Sequence, residues 1–449
     1  EGSLVDYDGD GDVEEGIYYE LDGIREMLMV AIQDYSNEVS GTPIGYGAGY
    51  PYFFIDANGD GEISDDEGER YNAWTPRLLK AAYNYQTSKK DPGAYAHGGK
   101  YIIQLMHDSI LDLNEAIAEP VDLANASRID AGHFAGSEEA FRHWDEDGSV
   151  PGSCAKCHTP GGLPMFLEEG VTVSQPLPNG LECATCHDDL VEFTLHEVEQ
   201  VEFPSGLVVA AEDANNNLCL SCHQGRQSTV SVNAHIGDAD DAEVAEGLGF
   251  QNVHDFAAGA TRFGTEAQGA YEYDGQEYAG LFDHANVNSC TDCHGTHSLQ
   301  VDTESCIECH EEMEESEDIA DIRYNFADYD GNGDDEEGVL GEIEALQAML
   351  YEAIQAYAAD EVGTGVIYDS HAYPYFFTDT NGDGEIDEDE VNYGNKYAAW
   401  TPRLLRAAYN YQYAAKDPGA FTHNTPYIVQ ILQDSLADLG VDVSEMERP

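Results

Sequence analysis

The sequence predicts a mainly α-helical chain with much irregular structure, in which a central cysteine-rich segment lies between two homologous helical modules. Three observations predict it. All ten cysteines fall between Cys154 and Cys309. Residues 1–118 and 321–449 contain no cysteine and repeat each other, with 73–94 matching 399–420 at 18 of 22 positions. Apolar residues in both flanks recur at the three- and four-residue spacing of an amphipathic helix.

Length and charge bound the function. With 449 residues, two or three domains are expected. Hydrophobic residues make up 42%, enough for packed cores. Against 18 basic residues stand 89 acidic ones, a formal charge of −71. Such a surface repels phosphate backbones and anionic lipid, so nucleic acid is excluded as a partner and cations or basic proteins are favoured. No apolar run reaches the 18 or so residues of a membrane span, so no transmembrane segment is expected.

The cysteines form five pairs, each followed by histidine: Cys154, Cys157 and His158; Cys183, Cys186 and His187; Cys219, Cys222 and His223; Cys290, Cys293 and His294; Cys306, Cys309 and His310. C-x-x-C-H is the signature of covalent haem c attachment, two thiols joining the porphyrin and the histidine binding iron. Disulfides or zinc ribbons would not require a histidine after every second cysteine. Five haem c groups are therefore expected. Their attachment occurs outside the cytoplasm, which places the protein outside the cell or at its surface, with the periplasm as the alternative. Export would use a signal peptide that is absent from this chain.

Each low-spin iron needs a second axial ligand. Only Met165 and Met313 lie near the haem segment, too few for five irons. Seven further histidines are available there, and bis-histidine ligation throughout is the economical expectation. His133, His143, His254, His284 and His297 are the preferred distal ligands, while His196 and His235 lie in acidic or polar stretches and read as surface residues. The motifs and these ligands span residues 133–310, about 36 residues per haem. That is too little protein for separate cores, so the haems must pack against one another as an electron relay. Short helices and loops are expected between motifs, with one strand pair near 198–209.

Each flank carries a full match to the calcium loop D-x-[DN]-x-[DN]-G-x5-E. In the first, Asp56, Asn58, Asp60, Glu62 and Glu67 are the candidate ligands; in the second, Asp379, Asn381, Asp383, Glu385 and Glu390. Calcium takes six to eight hard oxygens, which this spacing supplies. Two earlier loops begin in the same way, with Asp6, Asp8, Asp10 and Asp12, and with Asp328, Asp330, Asn332 and Asp334. Ile17 and Val339 stand where their closing glutamate belongs, and Glu15 or Glu337 are the substitutes considered. Two to four Ca2+ are thus expected. Helices are predicted over 17–35 and 340–357, and over 77–86 and 403–412, the latter two after a Thr-Pro N-cap. Tyr83, Tyr85, Tyr409 and Tyr411 read as packing residues before redox ones, and the equivalent His97 and His423 read as structural.

The runs AFRHWDEDGSVPGSCAKCH and NVHDFAAGATRFGTEAQGAYEYDG, with the repeated AWTPRLL(K/R)AAYNYQ segment, resemble large secreted multihaem c-type cytochromes of anaerobic bacteria and archaea. The resemblance implies electron transfer outside the cell to redox partner proteins or extracellular acceptors, and in some members assembly into filaments. The alternative is a periplasmic multihaem reductase with one open catalytic haem. Pentahaem nitrite reductases carry lysine in place of one motif histidine, whereas all five motifs here end in histidine, so a non-enzymatic carrier is expected. The organisation read from the sequence is a first calcium module over 1–118, a pentahaem domain over 119–320 and a second module over 321–449.

Overall fold

The structure, a computed structural model, describes the chain except residues 1–4, 13–14, 65, 119, 129–139, 142, 255, 286, 288, 308, 311–312, 314–315, 324 and 335, and except the side chains of 304, 305, 316 and 317. It is mostly helical, with little sheet and long irregular stretches. Two compact units form: Glu1–Pro151 with His158–Pro160 and Ser174–Glu182, and Gly152–Cys157 with Gly161–Val173 and Cys183–Pro449.

In the first unit, helices α1 (Ile17–Tyr35), α2 (Pro76–Lys90) and α3 (Ala94–Asn114) pack together beside the hairpin β1 (Ile44–Tyr46) and β2 (Phe53–Ile55). The apolar stripe of α1, Leu21, Ile24, Leu28 and Ile32, is buried against Ile103, Met106, Ile110 and Leu113 of α3. Burial of one such side chain contributes about 1.5–3 kcal/mol. Thr75 caps α2, its hydroxyl accepting from the Leu78 amide at 3.1 Å, and Pro76 opens the helix with a preset φ.

The central segment holds short helices: α4 (Gly152–His158), α5 (Gly162–Glu169), α6 (Cys183–Cys186), α7 (Asn216–His223), α8 (Thr229–Ile236), α9 (Ala258–Phe263) and α10 (Glu304–Ile307). Its strand pair, β3 (Val201–Glu202) with β4 (Val208–Val209), falls where the sequence indicates. Among the described residues no helix is long and apolar enough to cross a membrane.

The second copy repeats the first. Helix α11 (Val339–Tyr357) leads to the hairpin β5 (Val366–Tyr368) and β6 (Phe376–Thr378), then to α12 (Pro402–Ala415), α13 (Ala420–His423) and α14 (Thr425–Leu439). Thr401 caps α12 as Thr75 caps α2, at 3.1 Å to the Leu404 amide. Both α1 and α11 end in a π turn, closed by left-handed Gly41 (φ 68°) and Gly363 (φ 80°). The last long helix breaks at matching extended residues, Gly98 within α3 and Asn424 between α13 and α14. The sequence reading found the first two helices of each copy, and α3 and α14 were not among the helices it predicted.

The core of the second unit is continuous between the second copy and the central segment. Leu346, Leu350, Leu404, Tyr409 and Leu432 belong to the same buried cluster as Val201, Phe203, Leu220, Val253, Phe263 and Tyr271.

Candidate haem attachment and cation sites

All five motifs place their histidine at the end of a single helical turn. In each, the histidine amide or its neighbours close back on the first cysteine: the amides of His187, His294 and His310 donate to the carbonyls of Cys183, Cys290 and Cys306 at 2.9 Å. One turn puts the two thiols and the imidazole on a common side, as attachment of one porphyrin requires. The imidazoles are also oriented alike. Nδ1–H donates to a backbone carbonyl from His158 (Ala140, 2.6 Å), His187 (Phe193, 2.8 Å), His223 (Phe256, 2.9 Å) and His294 (Leu299, 3.2 Å). Fixing Nδ1 in this way presents the Nε2 lone pair to a metal.

The motifs lie close together. The Cys157 thiol lies beside that of Cys222, and the Cys219 thiol beside that of Cys290. Cys186 lies within electrostatic range of Cys219 and Cys222, as Cys293 does of Cys306. Buried Asn216 ties the third motif to the fourth, its Oδ1 accepting from the Cys290 amide at 2.9 Å and from Ser289 Oγ at 3.0 Å. Helix α9 approaches the third motif so closely that a Cβ on Gly259 would lie 2.8 Å from the His223 carbonyl oxygen. No disulfide joins any of the ten cysteines, and most are half-buried.

Of the expected distal ligands, His284 sits with its ring centroid 6.2 Å from that of His310. His143 is exposed and its ring meets Trp144, which in turn meets His158. His254 is half-buried and His297 exposed. His133 lies outside the described residues. The two histidines read as surface residues both use Nε2 locally, His196 to the Ala184 carbonyl at 3.1 Å and His235 to the Gly249 carbonyl at 2.9 Å. One ring proximity was not anticipated: the ring centroid of His423, from the second flank, lies 6.4 Å from that of His294, with 26° between the planes. No local sequence signal marks it, because the partners are 129 residues apart.

The four acidic loops share one hydrogen-bond pattern. The first aspartate accepts from the glycine amides at positions four and six: Asp56 from Gly59 and Gly61 at 2.7 and 2.8 Å, Asp379 from Gly382 and Gly384 at 2.6 and 2.9 Å. Asp6 does so from Gly9 and Gly11 at 2.5 and 2.8 Å, and Asp328 from Gly331 and Gly333 at 2.6 and 2.9 Å. Asn58, Asp60, Asn381, Asp383, Asp8, Asp10, Asp330 and Asn332 each accept from the amide two residues on, which curls their oxygens inward. These amide bonds supply Glu62, Glu385, Asp12 and Asp334 with their loop positions. The closing glutamate accepts from the amides at positions two and three: Glu67 from Ala57 and Asn58 at 2.8 and 3.1 Å, Glu390 from Thr380 and Asn381 at 2.6 and 3.3 Å. Donors from Ser64, Asn58 and Ala57 hold the Glu67 carboxyl down at about 2, so it is anionic.

In the two earlier loops that same place is taken by Glu20 and Glu342, each in the first turn of its helix. Glu20 Oε2 accepts from Tyr7 and Asp8 at 2.7 and 3.4 Å, and Glu342 Oε2 from Tyr329 and Asp330 at 2.8 and 3.0 Å. Sequence reasoning missed both, since they stand three residues beyond the twelve-residue frame. Carboxylate oxygens of Asp8, Glu15 and Glu20 gather within 4.8 Å of one another, as do those of Asp6, Asp8 and Asp10, and of Asp328, Asp330 and Glu342. Burial pushes the Glu20 carboxyl up to about 7, with Asp8 and Glu15 adding repulsion.

No protein-family model matches the chain, and no solved structure does. Among curated proteins the chain is 26% identical over 446 residues to the "C-type polyheme cytochrome OmcC" of Geobacter sulfurreducens (strain ATCC 51573 / DSM 12127 / PCA), covering 83% of this chain and 53% of that protein. It is also 26% identical over 367 residues to the "C-type polyheme cytochrome OmcB" of strain DL-1 / KN400, covering 66% of this chain and 45% of that one. The chain thus spans about half the length of the curated relatives it matches. That likeness, added to five C-x-x-C-H motifs, supports a multihaem c-type cytochrome.

Proposed function

We propose that the chain carries electrons outside the cytoplasm through five closely packed haem c groups with bis-histidine ligation. The observation that carries the reading is the contact between motifs: first against third, third against fourth, fourth beside fifth, with the second beside the third. Each haem stores one electron at its iron when bound. The chain's own task is to hold and orient. Cysteine pairs fix each porphyrin edge, Nδ1 contacts aim the proximal imidazoles, and Asn216 holds two attachment turns together. His284 facing His310 is the spacing that a distal ligand of the fifth haem would need, and His133, His143, His254 and His297 remain the proposed distal set with it.

The domain reading proposed is the pentahaem segment 119–320 between calcium modules 1–118 and 321–449. The loops at Asp56–Glu67 and Asp379–Glu390 would hold Ca2+, and the negative surface would meet cations, basic redox partners or extracellular acceptors. Extracellular placement, supported by the motifs, and filament assembly, which rests on the family resemblance alone, belong to the same proposal. The test is direct. Mass spectrometry of the exported protein should give five added haems, each mapped to one motif, and every haem should be low-spin and unreactive to carbon monoxide. Fewer haems, or one that binds carbon monoxide rapidly, would favour the reductase alternative. Electron microscopy with calcium at high concentration tests the filament, and isolated monomers would count against it.

A further inference from the structure

His423 is placed and prepared like an axial ligand. Its ring centroid lies 6.4 Å from that of His294, with 26° between the planes. Two imidazoles on opposite faces of one iron hold their ring centres roughly 6.3 Å apart, given metal–nitrogen bonds of about 2.0–2.1 Å and a ring radius of about 1.1 Å. The pair formed by His284 and His310 has nearly the same separation, 6.2 Å, and also contains a motif histidine. Rotation about the shared nitrogen–iron axis leaves the angle between planes free, so 26° and 57° are both allowed.

The second nitrogen of each ring is committed elsewhere. His423 Nδ1–H points between the oxygens of Asp417, at 3.0 and 3.2 Å, and Asp417 is buried. His294 Nδ1–H donates to Leu299. Among the described residues, neither Nε2 has a hydrogen-bond partner. A buried carboxylate on Nδ1 fixes the tautomer and raises the basicity of Nε2, the arrangement that prepares histidine for a metal. The Cys290 thiol also lies within electrostatic range of His423.

We propose that His423 is the distal ligand of the haem carried by Cys290 and Cys293, opposite His294, in place of one of His133, His143, His254 and His297. This rests on haem attachment at that motif. It makes the second calcium module part of the relay: α13 supplies a coordinate bond, and Asp417 acts as its positioning residue.

The test uses the full holoprotein. In His423→Ala, five haems should remain by mass, one of the five should turn high-spin and bind carbon monoxide, and added imidazole should restore it. Five low-spin haems in that variant would overturn the assignment. Where His423→Ala loses the haem, His423→Met decides: a methionine-to-iron charge-transfer band from one haem supports the ligand role, and its absence overturns it. Asp417→Asn should stay low-spin and raise the potential of one haem, a change that a packing role would not produce. Peptide mapping of the wild type separates the two levels, because an unmodified Cys290–Cys293 peptide would remove the underlying reading itself.

The Asp6 loop contains a different unsatisfied group. Glu20 is fully buried, and while Oε2 accepts two amides, Oε1 has no partner among the described residues. Its carboxylate meets those of Asp8 and Glu15 within 4.8 Å. An unpaired buried carboxylate is costly unless a cation joins it. In the second copy that demand is already met, since Arg323 Nη1 and Nη2 lie 3.1 and 3.2 Å from Glu342 Oε1. Glu1 stands at the sequence position equivalent to Arg323.

We infer that Glu20 closes a calcium site with Asp6, Asp8, Asp10 and Glu15, whereas Arg323 replaces the ion in the equivalent loop. The inference deepens the calcium reading and fails separately from it. Calorimetric calcium titration of the full holoprotein should give one site fewer in Glu20→Gln and an unchanged number in Glu342→Gln. An unchanged stoichiometry in Glu20→Gln would overturn the site while leaving the Asp56 and Asp379 loops intact.

Discussion

Asn410 and Tyr271 exchange two buried hydrogen bonds: the Tyr271 amide donates to Asn410 Oδ1 at 2.7 Å, and Asn410 Nδ2 donates to the Tyr271 carbonyl at 2.9 Å. One side chain thereby satisfies both backbone groups of a residue in the central segment, and joins α12 to it. Asn410→Ala leaves an amide and a carbonyl unpaired, so a loss of about 2–4 kcal/mol is expected. Among the described residues the equivalent Asn84 donates to Ser109 Oγ alone, at 2.9 Å, and Asn84→Ala should cost about 1 kcal/mol. Thermal unfolding of the two variants, followed by circular dichroism, checks the difference.

Gly259→Ala tests the approach of α9 to the third motif. The added methyl would lie 2.5 Å from Leu220 Cδ2 and 2.8 Å from the His223 carbonyl oxygen. Leu220 can turn, but the carbonyl belongs to the attachment turn. A cost of about 1–3 kcal/mol is expected, with a shift in the spectrum of one haem. Unaltered stability and spectra would mean that α9 does not bear on that turn.

Glu272 provides a pH dependence. Its carboxyl accepts from Thr265 Oγ1 at 3.0 Å and from Tyr427 Oη at 3.1 Å, and burial raises it above the ordinary glutamate range. A raised acid favours the fold while protonated, fully below the unfolded value of about 4.3, and loses that contribution as pH rises through the folded value. Glu272→Gln does not titrate. The melting temperature of the variant minus that of wild type should therefore increase from about pH 4 towards neutrality. A flat difference would show that Glu272 titrates alike in both states.

Calcium removal should loosen the flanks. Chelation leaves the inward-turned oxygens of Asp56, Asn58 and Asp60 without a cation, and those of Asp379, Asn381 and Asp383 likewise. Glu67→Gln and Glu390→Gln should each remove one calcium, and hydrogen exchange should speed up in the hairpin beside the altered loop while the haem count stays at five. Equal exchange with and without calcium would argue that these loops are stable acidic turns.

Local chemistry made much of this protein legible from sequence. C-x-x-C-H places three groups on one helical turn, the Asp-Asn-Asp-Gly spacing curls oxygens inward, and Thr-Pro begins a helix; each depends on neighbours within a few residues. The helix at Ile17–Tyr35 appears with the bounds its periodicity gives. Glu20 was hidden because it reaches its loop from the next helix, outside the reading frame of the motif. His423 was hidden because its counterpart ring belongs to another segment altogether.

The two copies show the division most clearly. Leu79, Tyr83 and Tyr101 are 53%, 71% and 64% exposed, while their equivalents Leu405, Tyr409 and Tyr427 are 0% exposed. The residues are identical, so composition determined that both copies fold as the same helical module. Only tertiary structure decided which face is covered: Tyr409 donates to the Gly269 carbonyl, and the Ala270 amide donates to Tyr427. Residues 256–280 lie over the second copy and exclude water from its tyrosines. Sequence repeats specify a surface, but burial of that surface requires a partner distant along the chain, and that pairing is set by packing between segments rather than within them.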